Sequence, residues 1–197
     1  FLFIYDQDLI SNFYIFSSKN LFIFIFTSSI IFFVGIYDDK FTLSPSKRVI
    51  IISLAIYFLL ATDRTLILNE LIFSFANFKI QTNSLDFLLT IVCFVSLILA
   101  LNMFDGINLQ SGSFYALFFL FYIVFTKNYF IITIIIPIIF ILFLNYKNKL
   151  FLGDSGSYLL SLLVGFFSIK LYKYNSFIFS DHIFSILYLT ILDCARV

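Results

Sequence analysis

Three acidic clusters stand out in a chain of which only 12% is charged. Asp38-Asp39-Lys40 ends an apolar run, Asp105-Gly106 follows Asn102-Met103-Phe104, and Gly153-Asp154-Ser155-Gly156 opens another apolar run. Adjacent carboxylates at a membrane interface repel one another unless a cation sits beside them. Glycines around an acid and a hydroxyl at a helix start present backbone N–H groups that favour phosphate oxygens. Taken singly, the same motifs read as a solvated helix end, a turn and a common loop. Together they suit a hard divalent cation with phosphates. Mg2+ takes one or two carboxylates, retained waters and substrate phosphate oxygens, and Mn2+ is the alternative. Zinc lacks ligands, because the chain offers one histidine, His182, and two distant thiols, Cys93 and Cys194, which look buried. A Ser-His-Asp arrangement fails for the same want of histidine. The chemistry these residues favour is metal-assisted phosphoryl transfer at a membrane surface.

The elements that must position them are membrane helices. Hydrophobic residues make up 62% of the chain, and mean hydropathy is +1.08. A soluble domain carries about 25% charged residues, so a water-soluble globule is excluded. With 12 Lys+Arg against 11 Asp+Glu there is no basic field for nucleic acid. Spanning about 30 Å of hydrocarbon takes about 20 helical residues. Charge-free runs cover 21–37, 49–62, 87–104, 106–126, 128–146, 155–169 and 183–192. Snorkelling by Lys47, Arg48 and Lys170 would lengthen the second and sixth runs. These runs lack the alternating polarity of membrane strands. The expected fold is an all-α polytopic transmembrane bundle of about seven helices, residues 1–197 forming one integral-membrane domain. Residues 6–20 form an amphipathic or loop lead-in. The chain starts at Phe1 and ends at Val197 just beyond an apolar run, and reads as a piece lacking both flanks.

Alternating helix direction puts Asp38, Asp39, Asp105, Asp154 and Asp193 on one side, each at a helix end. Gly35, Gly106, Gly112, Gly153 and Gly156 share that side. Basic residues give no orientation by the positive-inside rule. Lys40, Lys47, Arg48, Lys147, Lys149 and Arg196 flank one side, and Lys19, Arg64, Lys79, Lys127, Lys170 and Lys173 the other.

The segment from Gly35 to Arg48 resembles the Asp-Asp and Leu-Ser-Pro-x-x-Arg stretch of the polyprenyl-phosphate N-acetylhexosamine-1-phosphate transferases. Asn102-Met-Phe-Asp-Gly-Ile-Asn108 resembles that family's Asn-x-x-Asp-Gly-x-Asp/Asn motif. Lys149-Leu-Phe-Leu-Gly-Asp-Ser-Gly-Ser157 resembles its Phe-Met-Gly-Asp-x-Gly-Ser motif, and Ile191-Leu-Asp-Cys-Ala-Arg196 its Asp-Thr-x-Arg stretch. The four motifs stand in the family's order from about Leu21 to Val197.

The resemblance implies that a membrane polyprenyl phosphate attacks the β-phosphorus of a UDP-N-acetylhexosamine, releasing UMP, in the first membrane step of cell-envelope glycan synthesis. It makes Asp38, Asp39 and Asp154 catalytic, with Asp154 and Asp39 on Mg2+. Phe151 would stack on uracil. Asn102, Asp105, Asn108 and Asn145 would line the nucleotide and sugar pocket, while Lys40 and Arg48 neutralise phosphate. The implied location is a bacterial inner membrane with the site facing the cytoplasm, and a homodimer is an open question. The family's Pro-Arg-Gly-Gly segment and His-rich loop have no counterpart in these residues. Asn108 replaces an acid, followed by Leu109-Gln110 where Gly-Leu is usual, which bears on sugar choice.

Rival readings fit less well. An intramembrane aspartyl protease needs Tyr-Asp, as at Tyr37-Asp38, and Gly-x-Gly-Asp, where this chain has Phe151 in place of the first glycine. A CDP-alcohol phosphotransferase motif is broken at 105–110. A transporter would hold its acids near the bilayer midplane, whereas these stand at the ends of apolar runs.

Overall fold

The computed structural model describes residues 18–75, 78–106, 109–174 and 178–196. Among these, seven helices follow in order: α1 (Ser18–Phe41), α2 (Pro45–Thr62), α3 (Asp86–Met103), α4 (Gln110–Thr126), α5 (Ile132–Tyr146), α6 (Gly153–Tyr174) and α7 (Ser180–Arg196). α1, α2, α3, α5 and α6 are long and apolar enough to cross a membrane, and α4 is a shorter apolar helix. The expected all-α polytopic bundle stands, and the chain is a multi-pass membrane protein.

Local chemistry explains the boundaries that matter for the site. α1 stops where Thr42 turns left-handed at φ 47°, its N–H bonded to the Asp38 carbonyl at 2.9 Å. Extended Ser44 and then Pro45 start α2, proline being preset for the first helical position. This carries α2 through Lys47 and Arg48, the greater length expected for the second run. α4 begins at Gln110 instead of Gly106, after Leu109 takes a left-handed φ of 69°.

The core gathers around α6. Two thirds of its apolar window is buried (67%), against 22–33% for the other four spans. Tyr158, Leu162, Val164 and Phe166 of α6 pack with Ile31 of α1, Phe94 of α3 and Phe119 of α4. Lipid is as apolar as these side chains, so close backbone approach and hydrogen bonds must help drive association. Phe22, Phe33, Leu54, Val124 and Phe140 remain exposed, as a lipid-facing surface requires.

Two expectations need correction, and one element lies outside them. The 63–86 connection contains an antiparallel hairpin, β1 (Glu70–Phe73) with β2 (Phe78–Gln81), Glu70 facing Gln81. Its segments are too short and too mixed in polarity to register among the apolar runs. Lys170 does not snorkel: it is 2% exposed and donates to Thr65 Oγ1 at 2.9 Å. Cys93 is exposed, because it lies on the outer side of α3; the side chain of Cys194 lies outside the described residues.

Candidate active site

The C-terminal ends of α1, α3 and α5 meet the N-terminal ends of α2, α4 and α6, so one end of the bundle collects the acids. Two helix backbones approach closely at Gly35. A Cβ built there would stand 2.3 Å from Ser155 Cα, so only glycine lets α1 and α6 touch backbone to backbone.

Asp38 is 1% exposed and surrounded by donors. Leu43 N–H donates to Oδ1 at 2.7 Å, Arg48 Nη2 to Oδ1 at 3.0 Å, and Tyr158 O–H to Oδ2 at 2.9 Å. Arg48 Nε lies 2.6 Å from Oδ2 as an ion pair without hydrogen-bond alignment. A carboxylate buried in a membrane protein needs such partners. The Arg48 side chain remains 28% exposed, so its guanidinium can meet a further anion.

Asp39 turns the other way. Its Oδ1 accepts from Asp154 N–H at 2.7 Å and its Oδ2 from Ser155 N–H at 3.1 Å. The N-terminus of α6 therefore already faces an internal carboxylate, which takes two donors that the sequence reading assigned to phosphate. Gly153, at φ +69°, stands immediately before these two amides.

Asp154 receives a hydrogen bond from the Asn102 side chain and interacts electrostatically with Asp38, Asp39 and Arg48. Asn102 Oδ1 is buried without a hydrogen-bond partner. Asp105 accepts from the Ser111 hydroxyl. Burial pushes the Asp105 carboxyl above the usual range; the Ser111 bond opposes this, and the charges of Asp154 and Asp39 reinforce it. Asn145 is buried, and its Oδ1 accepts from Leu109 N–H at 3.2 Å, holding the loop between α3 and α4.

Phe151 is 60% exposed. Lys40 is exposed, its Nζ 5.3 Å from the Phe41 ring centroid. Asn108 lies outside the described residues. Asp38, Asp39, Arg48, Asn102, Asp105 and Asp154 thus form one cluster linked by hydrogen bonds and charge. Lys40, Asn145 and Phe151 come from segments at the same end.

Tyr158 and Ser111 escaped the sequence reading. Tyr158 follows Asp154 by four residues, one helical turn, so it shares that helix face. That spacing was a usable signal. Ser111 had none, since its bond depends on how the 104–109 turn folds.

The chain matches the model of glycosyl transferase family 4 over residues 21–172. It belongs to that family. The matched segment takes in the clusters around Asp38-Asp39, Asp105 and Asp154. Neither the curated proteins nor the solved structures contain a match to the chain.

Family 4 transferases are generally metal-dependent. Among the described residues, no three His, Cys, Asp or Glu side chains form a ready metal cage. The Asp154 carboxylate beside the unpartnered Asn102 Oδ1 nevertheless offers hard oxygen donors. That set fits Mg2+, which needs few protein ligands when phosphates and water complete its shell.

Proposed function

We propose that this chain transfers an N-acetylhexosamine 1-phosphate from a UDP-sugar to a polyprenyl phosphate, releasing UMP, at the cytoplasmic face of a bacterial inner membrane. The observation that carries the reading is the linkage of Asp39 to the Asp154–Ser155 backbone, with Arg48 beside both Asp38 and Asp154. Acids from three motifs and a guanidinium meet at one helix end, in a member of a family of transferases. A phosphoryl transfer between a lipid and a nucleotide needs that charge arrangement at a membrane surface.

In this reading an oxygen of the lipid phosphate forms a bond to the β-phosphorus. The bond from that phosphorus to the oxygen bridging it to the α-phosphorus breaks, and its electron pair leaves with UMP. Transfers of this kind are catalysed mainly by positioning and by charge neutralisation. Asp38, itself held by Tyr158, holds Arg48, whose exposed N–H groups neutralise the incoming lipid phosphate. Lys40 adds charge at the rim. Phe151 stacks on uracil. Asn145 and Ser111 hold the loop carrying Asp105 and Asn108 against the nucleotide and sugar. Asp154 and Asn102 Oδ1 would hold Mg2+. When bound, that ion screens charge developing on the diphosphate oxygens.

The test is UMP release by the full-length protein from UDP-N-acetylhexosamines with polyprenyl phosphate and Mg2+. Lipid-dependent release is the expected result. Its absence with every UDP-N-acetylhexosamine tried would overturn the proposal.

A further inference from the structure

We propose that Asp39 is a positioning residue: it caps α6 from the neighbouring helix, sets the direction of Asp154, and does not bind the metal. The proposal deepens the transferase reading and rests on it only for the task of Asp154.

The need for a cap lies in the sequence around Gly153. An α-helix begins with four backbone N–H groups lacking intrahelical partners. Ser, Thr, Asp or Asn in the preceding position normally takes one of them. Leu152 stands there in this chain and has no acceptor to offer. Asp39 supplies the acceptors instead, one oxygen to Asp154 N–H at 2.7 Å and the other to Ser155 N–H at 3.1 Å. Its negative charge also faces the positive end of the helix dipole.

The surrounding backbone is shaped for this contact. Gly35 and Asp39 lie four residues apart on α1, hence on one face. Gly35 allows α1 to meet Ser155, and Asp39 then reaches the start of α6. At Gly153 the left-handed φ would strain an ordinary side chain, and a Cβ would stand 3.1 and 3.2 Å from the two Asp39 oxygens. Two glycines thus leave room for one carboxylate.

Division of labour between the adjacent acids follows from helix geometry. Successive residues on a helix point about 100° apart. Asp38 therefore faces Arg48 and Tyr158 while Asp39 faces α6. Asp154, the residue whose amide Asp39 holds, has its carboxylate held separately by Asn102. A cation bound to Asp39 would have to share both oxygens with the two amides.

The experiment is amide hydrogen exchange on the full-length, metal-free protein in detergent, paired with kinetics. Asp39→Ala should speed exchange of the Asp154 and Ser155 amides about tenfold or more, as expected for losing bonds to a charged acceptor. Asp39→Asn keeps one acceptor oxygen and should retain part of that protection. In the UMP-release assay both variants should lower kcat more than they raise KM, the Asn variant less. The Mg2+ concentration giving half-maximal rate should rise only in step with the lost amide protection, because a residue outside the metal's shell acts on metal affinity through the ligand it orients. Unchanged exchange in Asp39→Ala would overturn the proposal whatever the activity. So would an Mg2+ requirement raised more than about tenfold in Asp39→Asn while the Asp154 and Ser155 amides stay protected, since a positioning residue reaches the metal only through that cap. Should Asp39→Ala fail to fold, faster exchange in Asp39→Asn supports the cap and unchanged exchange overturns it. Failure of the wild-type protein to release UMP would defeat the transferase reading and leave the exchange result standing.

Discussion

The two ends of α6 are both polar, but they settle their charges differently. At the far end Lys170 donates to Thr65, which bonds to Asp63, and Lys173 donates to the Ile67 carbonyl. Tyr172 O–H donates to the Glu70 carbonyl and accepts from Ile72 N–H, and Asp181 accepts from Ser74. These bonds tie α6 and α7 to the hairpin and to the end of α2. Cations and anions there meet donors and acceptors of their own. At the near end four carboxylates, Asp38, Asp39, Asp105 and Asp154, interact, while the one ion pair at that end among the described residues is Arg48–Asp38. A buried acceptor, Asn102 Oδ1, is left over. One end has its charges matched, whereas the inner cluster at the other holds four carboxylates to one guanidinium and a spare oxygen. That imbalance is what a cation and a cationic side chain facing phosphates would use.

The largest expected effect would break the contrast at its centre. Asp154→Asn keeps the shape and removes the charge, so kcat should fall by about 10²–10³, the scale of losing one preorganised electrostatic group. Expression should hold, and UMP release measures the loss. Full turnover would remove Asp154 from the metal assignment. Next, Arg48→Leu leaves Asp38 buried with fewer partners. Orphaning a buried charge costs about 3–5 kcal/mol, and the partly exposed guanidinium argues for the lower end. Thermal unfolding in detergent should show a drop of that size. An unaltered melting point would mean that the pair contributes nothing to the near end.

Phe151→Ala sharpens the picture at the rim. A ring that grips the base equally in ground and transition states changes KM alone. KM for the UDP-sugar should rise by about 1–3 kcal/mol in binding, the range of base–aromatic stacking. An unmoved KM would return Phe151 to the lipid-facing residues. Tyr172→Phe probes the far end. It removes two hydrogen bonds and should cost about 1 kcal/mol of stability, with kcat and KM unchanged. A fall in kcat would show the two ends to be coupled.

The smallest effect is in pH dependence. Hydrogen bonds from Ser74 hold the Asp181 carboxyl below the usual range. A depressed folded value means that this group stabilises above the ordinary carboxylate pKa of about 3.9, and that the contribution is lost as pH falls through the folded value. Ser74→Ala should therefore flatten the acid-side fall in melting temperature slightly. An identical slope in both proteins would discount the Asp181–Ser74 link.

Much of this architecture is legible in the residues. Apolar run length carries the membrane helices, because burying backbone in lipid demands long uninterrupted helix. Motif order and helix parity bring Asp38, Asp105 and Asp154 to one end. The division between the two adjacent acids is not legible. Asp39 meets Asp154 across 115 positions and Asp38 meets Tyr158 across 120, and no local period records which side chain arrives there. The same holds for Lys170, which local charge patterning reads as a snorkelling end and which the fold buries against the loop after α2. Helix existence depends on hydropathy summed over a window, so the sequence by itself determines it. Which lone pair meets which donor depends on the ångström-scale approach of helices distant in sequence. At Gly35 and Ser155 only the tertiary packing decides that approach.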